Sequence, residues 1–486
     1  MRKRRQRVLL IPLMLLTTLA GLLVGCVSNE IVTDPGNDLR FSADTLTFDT
    51  VFSTVGSTTA WLRIRNVGNK TIRIASISLQ SGGTSGFHIN LDGASETSYT
   101  NVDIPAKDSL FLFVEVNTNK QGSSSPVKMS DAVLFSTDGA QKQIVLEAWS
   151  WDAVIWKGKV LSADTTLTAD IPFIIYDSLV VAENTTLTMQ PGTKLFFHDG
   201  AFMKVCGTLS AIGTKEAVIQ FRGDRLDYMF PDEPYDIYPG QWSWLELAPT
   251  SFNNRLEYVD IHGAYYGIIA DSSSLSQPKL KMYNSVIHNM INTCLWSNTS
   301  SMDIGNCQLS NSGSYTVAMV GGNATFTHCT IVNYQHKVNR EGPALIMVNY
   351  LKPDLNDTSI TRAYPMSATF QNCIVFGSQN YEIGLGKWEN IAWSASFLNC
   401  LLRSFTIPMT EATVTNCKYS SDAKFLKLGY EADKYRFDFR LDSISPGRNI
   451  GSEAYLSTYP TDMNGVSRTI DGKPDVGAYE WYPGQK

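Results

Sequence analysis

The stretch GNCQLSN (305–311) decides the reading, because its setting recurs as THCTIVN (327–333), QNCIVFG (371–377), LNCLLRS (398–404) and TNCKYSS (415–421). Aligned on the third residue, the small position is Val259, Ser285, Cys307, Cys329, Cys373, Cys400 and Cys417, at intervals of 26, 22, 22, 44, 27 and 17 residues. The interval of 44 fits a further whole turn plus an insertion. An apolar residue stands three positions before it (Leu256, Met282, Ile304, Phe326, Phe370, Phe397, Val414) and another two positions after it (Ile261, Ile287, Leu309, Ile331, Val375, Leu402, Tyr419). Strand alternation keeps inward residues an even number apart, so a separation of three breaks the pleat. The residue at the break is Asn284, Asn306, Asn372, Asn399 or Asn416, with Tyr258 and His328 in the other two turns. Asn tolerates the left-handed backbone that a one-residue corner requires.

A chain that turns a corner about every 22 residues and restacks on itself is a parallel β-helix. The runs YGIIA, CLWS, YTVAMVG and ALIMVN supply a third wall. Cysteine just inside the corner serves as a small hydrophobe, interchangeable with Val259 or Ser285. Reduced core thiols are therefore expected in place of a disulfide framework, and no Cys-x-x-Cys suggests a metal site.

Ahead of the coil, residues 41–148 read as short alternating strands, such as WLRIRNVGNKTIRIASISL and DSLFLFVEV, with turn residues between them. The predicted organisation is a signal peptide (1–25), a tether (26–40), an immunoglobulin-like β-sandwich (41–150), a right-handed parallel β-helix (151–437) and a C-terminal cap (438–486). At the N-terminus, Arg2, Lys3, Arg4, Arg5 and Arg7 precede an apolar run from Val8 to Val24, a secretory layout favoured over a spanning helix because the run is at the short end for a bilayer and contains Pro12. LVGC (23–26) resembles a bacterial lipobox, which implies acylation of Cys26 and stable membrane anchoring. Removing the signal leaves a formal charge of −11 over 461 residues, which argues against a nucleic-acid partner.

Four further resemblances follow from particular motifs. FDTVFSTVGSTTAWLRIRNVGNKTIRI with IPAKDSLFLFVEV resembles the ASPM/SPD-2/Hydin-like domains, implying a spacer or docking module. ENTTLTMQPGTKLFF, VCGTLSAIGTKEAVIQFRG and LEYVDIHGAYYGI resemble the right-handed parallel β-helix lipoproteins of Bacteroidota, within the pectate-lyase-like superfamily. TDMNGVSRTIDGKPDVGAYEW is similar to the choice-of-anchor Q module, read here as a cap on the last open strand edge. Asp-Ser/Thr triplets such as Asp44-Thr45-Leu46 and Asp177-Ser178-Leu179 are similar to the O-glycosylation sequon of exported Bacteroidota proteins.

For function, the resemblance implies two classes. A lyase needs carboxylates from adjacent turns around Ca²⁺, and a hydrolase needs an opposed acid and base. Between Asp271 and Glu341 the only carboxylate is Asp303, so no catalytic residue is assigned, and Ca²⁺ enters only under that enzyme alternative. Carboxylates do gather in RGDRLDYMFPDEPYDIYPGQWSW: Asp224, Asp227, Asp232, Glu233 and Asp236 lie among Tyr228, Tyr235, Tyr238 and Trp242. This inserted loop is the candidate binding ledge, with HKVNREGPALIMVNYLKPDLNDTSITRAYP (336–365) as a second insertion flanking the same surface. His262 and His288 are expected to stack on adjacent turns as a surface polar ladder, with no carboxylate or thiol placed to complete a metal set. The expected protein is a cofactor-free, non-catalytic outer-membrane lipoprotein, exposed at the cell surface, that binds an extracellular glycan or an outer-membrane protein. A subunit of an outer-membrane assembly is the third reading.

Overall fold

A computed structural model describes residues 30–351, 362–403, 411–430 and 436–485. Cys26 and the signal segment lie outside these residues. The chain divides into two compact units, one ending at Asp152 and the other beginning at Ala153.

The first unit is a β-sandwich. One sheet orders Ile31–Val32, Thr71–Leu79, Val127–Ser136, Gln141–Trp151 and Thr45–Phe52, with Ser98–Ile104 beside Thr71–Leu79; the other orders Leu39–Phe41, Ala60–Asn66, Ser109–Val116, Phe87–Leu91 and Ala94–Glu96. Alternate residues such as Leu62, Ile64, Leu112 and Val114 fill the space between the sheets. Part of the expected tether is thus structural, since Ile31 and Leu39 already pair within the sheets.

The second unit is a parallel β-helix with three walls. The first wall runs from Thr165–Leu167 to Thr413–Thr415, each strand pairing in parallel with its counterpart one coil on. The second and third walls begin as single long strands, Val154–Leu161 and Phe173–Val181, bent at Gly158 and Asp177 in the left-handed region. Further down they separate into distinct strands, as in Lys194–Phe197 and Phe202–Val205.

Every expected corner residue is left-handed, with φ between 48° and 53° at Tyr258, Asn284, Asn306, His328, Asn372, Asn399 and Asn416. The register follows the sequence alignment. Leu256, Met282, Ile304, Phe326, Phe370, Phe397 and Val414 pair successively on the first wall. Phe326, Phe370 and Phe397 stack with centroids 4.9 Å apart at each step. The outward exception is Tyr419, exposed on the last coil.

Two expectations are corrected. The interval of 44 contains no hidden turn, because Gly322–Thr327 pairs directly with Met366–Gln371. One coil instead departs from its walls on either side of the third-wall strand Leu345–Val348, at 334–344 before it and at the paired strands Tyr350–Leu351 and Arg362–Ala363 after it. The C-terminal element is also no end cap. Among the described residues, Thr413–Thr415 and Lys418–Tyr419 end their sheets with no strand beyond them. The element runs back along the asparagine corners as a strap: Asn399 donates to Ile450 O (3.3 Å), Asn372 to Ser452 O (2.9 Å) and Asn306 to Thr461 O (2.9 Å). Its hairpin, Phe425–Leu428 with Phe437–Leu441, covers Val332, Ile374, Phe376 and Leu401 on the outer face of the second wall. An apolar outer face needs such a cover.

Candidate binding site on the second wall

Residues 224–244, the candidate ledge, are inserted at the corner between the second and third walls, between Ile219–Gly223 and Leu245–Leu247. Pro231 and Asp232 turn a short hairpin in which Tyr228 pairs with Pro234 and Phe230 with Glu233. A single 3₁₀ turn, Tyr235–Ile237, brings the chain back toward the coil. At its end Trp242 enters the core, stacked on Phe197 at 4.3 Å, and its indole donates to His262 O (2.8 Å). Trp242 is therefore an anchor of the insertion, and its placement on a binding surface is corrected.

Most of the remaining ledge residues brace the loop. Arg225 forks onto Asp227 (2.7 and 2.6 Å) and lies over the Tyr235 ring at 3.9 Å. Asp224 accepts from His198 Nδ1 at 2.7 Å, and burial raises the pKa of its carboxyl. Glu233 receives Lys337 (2.6 Å) and the Tyr238 hydroxyl, while Lys337 also reaches that hydroxyl at 3.1 Å. The second insertion thus does flank the first. Tyr228, Met229 and Phe230 remain exposed by 51, 44 and 56 %, with Asp232 exposed beside them at the turn.

Beneath the loop lies a charged cluster. Asp236 accepts from His262 Nε2 (2.7 Å) and Arg222 (2.8 Å), while Asp260 Oδ1 meets His262 Nδ1 (2.9 Å) and His288 Nε2 (3.2 Å). The histidines do stack, at 4.8 Å and 28°. Two parts of that expectation are corrected: His262 is buried, with no place in a surface ladder, and one carboxylate, Asp260, is placed to complete a set with the two histidines. Burial opposes the imidazolium of His262, but Asp260 and Asp236 outweigh it and raise its pKa to about 9. Burial likewise opposes the charge of Asp236, and the His262 hydrogen bond prevails, holding it at about 2. Asp260 is lowered in the same way, while burial lowers Arg222. Arg222, Asp260 and Lys337 were missed in the sequence. Asp260 was legible, since a residue two before His262 in a strand shares its face; the partners of Arg222 and Lys337 depend on loop paths that no periodicity encodes.

Among the described residues, this cluster offers no acid–base pair across an open cleft. Asp236 and Asp260 share His262 and are both held ionised. On the outer face of the third wall one column runs Lys204, Glu246, Ile269, Trp296, Ala318, Ile346 and Gly384, without a carboxylate after Glu246. Asp303 sits on the first wall, taking the Tyr283 hydroxyl at 2.5 Å. In the first unit, Trp61, Phe111 and Phe113 form another exposed aromatic surface, legible as aromatics at the outward positions of WLRIR and SLFLFVEV.

The chain is thus a parallel β-helix preceded by a β-sandwich. No protein-family model matches it, and no curated protein does either. Among solved structures it is similar to pectate lyase Pel9A, at 13% identity over 65% of this chain and 89% of that one, with a TM-score of 0.28. It is also similar to the catalytic domain of a GH87 alpha-1,3-glucanase in complex with nigerose, at 10% identity over 74% of this chain and 90% of that one, TM-score 0.23. A protein of unknown function from Porphyromonas gingivalis W83 matches at 16% identity over 23% of this chain, TM-score 0.17, and the match spans 46% of that protein's length. At these scores no chemistry is carried over from them.

Proposed function

We propose that this chain is a non-catalytic binding protein, tethered to the outer membrane through Cys26, that uses the hairpin at 228–234 as its contact surface. The observation that carries the reading is the run of three consecutive exposed apolar side chains, Tyr228, Met229 and Phe230, on a loop clamped by ion pairs. Exposed apolar groups are ordinary singly; three in a row on a braced tip form a surface already organised for contact, which lowers the ordering cost of binding. A partner protein fits this chemistry first. A glycan is the second reading, supported by the exposed Tyr228 ring with Asp232 on the same hairpin, an aromatic face beside a carboxylate that can accept sugar hydroxyls.

The test presents wild type and Tyr228→Ala/Phe230→Ala, both immobilised, with outer-membrane extract and with acidic and neutral polysaccharides. Retention by wild type alone, with equal melting temperatures, supports the surface. Equal retention by both, or a variant that melts several degrees lower, overturns it, as does release of unsaturated or reducing sugar ends by wild type.

A further inference from the structure

We propose that Asp260, His262 and His288 form a binding site for a divalent transition-metal ion of the zinc class. Parallel pairing fixes the geometry, since His262 is the direct register partner of His288 one coil on. Asp260 shares the outward face two residues before His262. One carboxylate oxygen, Asp260 Oδ1, meets a nitrogen of each ring, at 2.9 Å from His262 Nδ1 and 3.2 Å from His288 Nε2. One ligand atom from each of the three lies within 4.8 Å of the others. Zinc bonds of about 2.0–2.2 Å place neighbouring tetrahedral ligand atoms about 3.3–3.5 Å apart; the two carboxylate-to-nitrogen distances lie within a few tenths of an ångström of that, and the two ring nitrogens, within 4.8 Å of each other, close on the ion by rotation of the partly exposed His288 ring.

The surroundings point the same way. A histidine that binds metal through one nitrogen usually donates the other to a carboxylate, which fixes its tautomer and orientation. His262 does this, with Nε2 on Asp236 Oδ1 at 2.7 Å and Asp236 held in turn by Arg222. Nδ1 is thereby turned toward Asp260 and His288. The His288 side chain keeps about a quarter of its surface open, giving an ion an approach and a coordination position for water. Two imidazoles and one carboxylate suit zinc, copper or nickel better than calcium or magnesium, which take oxygen ligands. The assignment stands whether or not the hairpin binds a partner.

Untagged, chelator-stripped full-length protein is titrated with ZnCl₂ by calorimetry and with Co²⁺ by visible absorption. The expected result is one equivalent of Zn²⁺, a cobalt spectrum of tetrahedral or five-coordinate type without thiolate charge transfer, and a raised melting temperature. His288→Gln, at a partly exposed side chain, should weaken binding roughly 100-fold or more, and Asp236→Asn about 10–100-fold. Cys206→Ser/Cys417→Ser, which removes the half-buried thiols, should bind as wild type. No saturable binding by wild type overturns the site, as does undiminished binding by a folded His288→Gln variant, or loss of binding in the double serine variant.

Discussion

Cysteine just inside the corner does more than fill space. Each thiol donates to the carbonyl two residues back, as Cys307 does to Gly305 O at 3.1 Å, and accepts where the preceding coil leaves an amide open: Cys329 N reaches Cys373 Sγ at 3.4 Å and Cys400 N reaches Cys417 Sγ at 3.2 Å. Ser285 does the same work, accepting from Val259 N (3.0 Å) and donating to Tyr283 O (2.7 Å). The small-hydrophobe reading was therefore incomplete, because spacing reveals volume and face but not which backbone groups a corner strands. Cys373→Ser should be tolerated, whereas Cys373→Val should cost about 1–3 kcal/mol more, the penalty of an unpaired buried amide, by denaturant titration. In native protein, burial pushes the thiols of Cys294, Cys329 and Cys400 up, so a thiol reagent should reach Cys206 and Cys417 first, with Cys307 and Cys373 also released only by denaturant. Lys279 makes a separate prediction. It is buried with Nζ donating to Ala248 O (2.5 Å), and burial lowers its pKa to about 8. The unfolded chain holds that proton to about 10.4, so between these values the unfolded state binds more protons and stability rises with pH. The stability of wild type relative to Lys279→Met should therefore improve from pH ~8 to ~10; a difference independent of pH would contradict the assignment.

The walls, corners and register of the coil were legible because each repeats the same constraint, and seven left-handed corners followed from one broken pleat. The strap was not. Its residues carry no period, and what fixes them is a buried network: Arg468 bonds Glu480 (3.3 Å) and Asn306 Oδ1 (2.8 Å), while Asp475 takes the amides of Asn449 and Trp481. Even the glycine of GNCQLSN belongs to it, since a Cβ on Gly305 would overlap the Tyr459 hydroxyl. Arg468→Met removes one partner of a buried pair and should cost about 3–5 kcal/mol. Hydrogen exchange should show lost protection at the corners near Asn306 and Asn372. Loss confined to the last coil, 413–419, would restore the cap.

Of the candidate ledge, the sequence located the loop, while the division between bracing and exposed residues depended on partners far along the chain, such as Lys337 for Glu233. The first unit adds its own exposed surface at Trp61, Phe111 and Phe113. The proposed anchor has its own test: Cys26→Ser should shift the chain out of the membrane fraction or leave it as uncleaved precursor, and unchanged membrane partition would contradict it. The decisive comparison is photocrosslinking in cells, with the crosslinking residue placed once at Met229 and once at Trp296, in the third-wall column beyond Glu246. The braced hairpin predicts a discrete adduct from position 229 and none from position 296. An adduct from position 296 alone would contradict it and move the binding surface to the third wall.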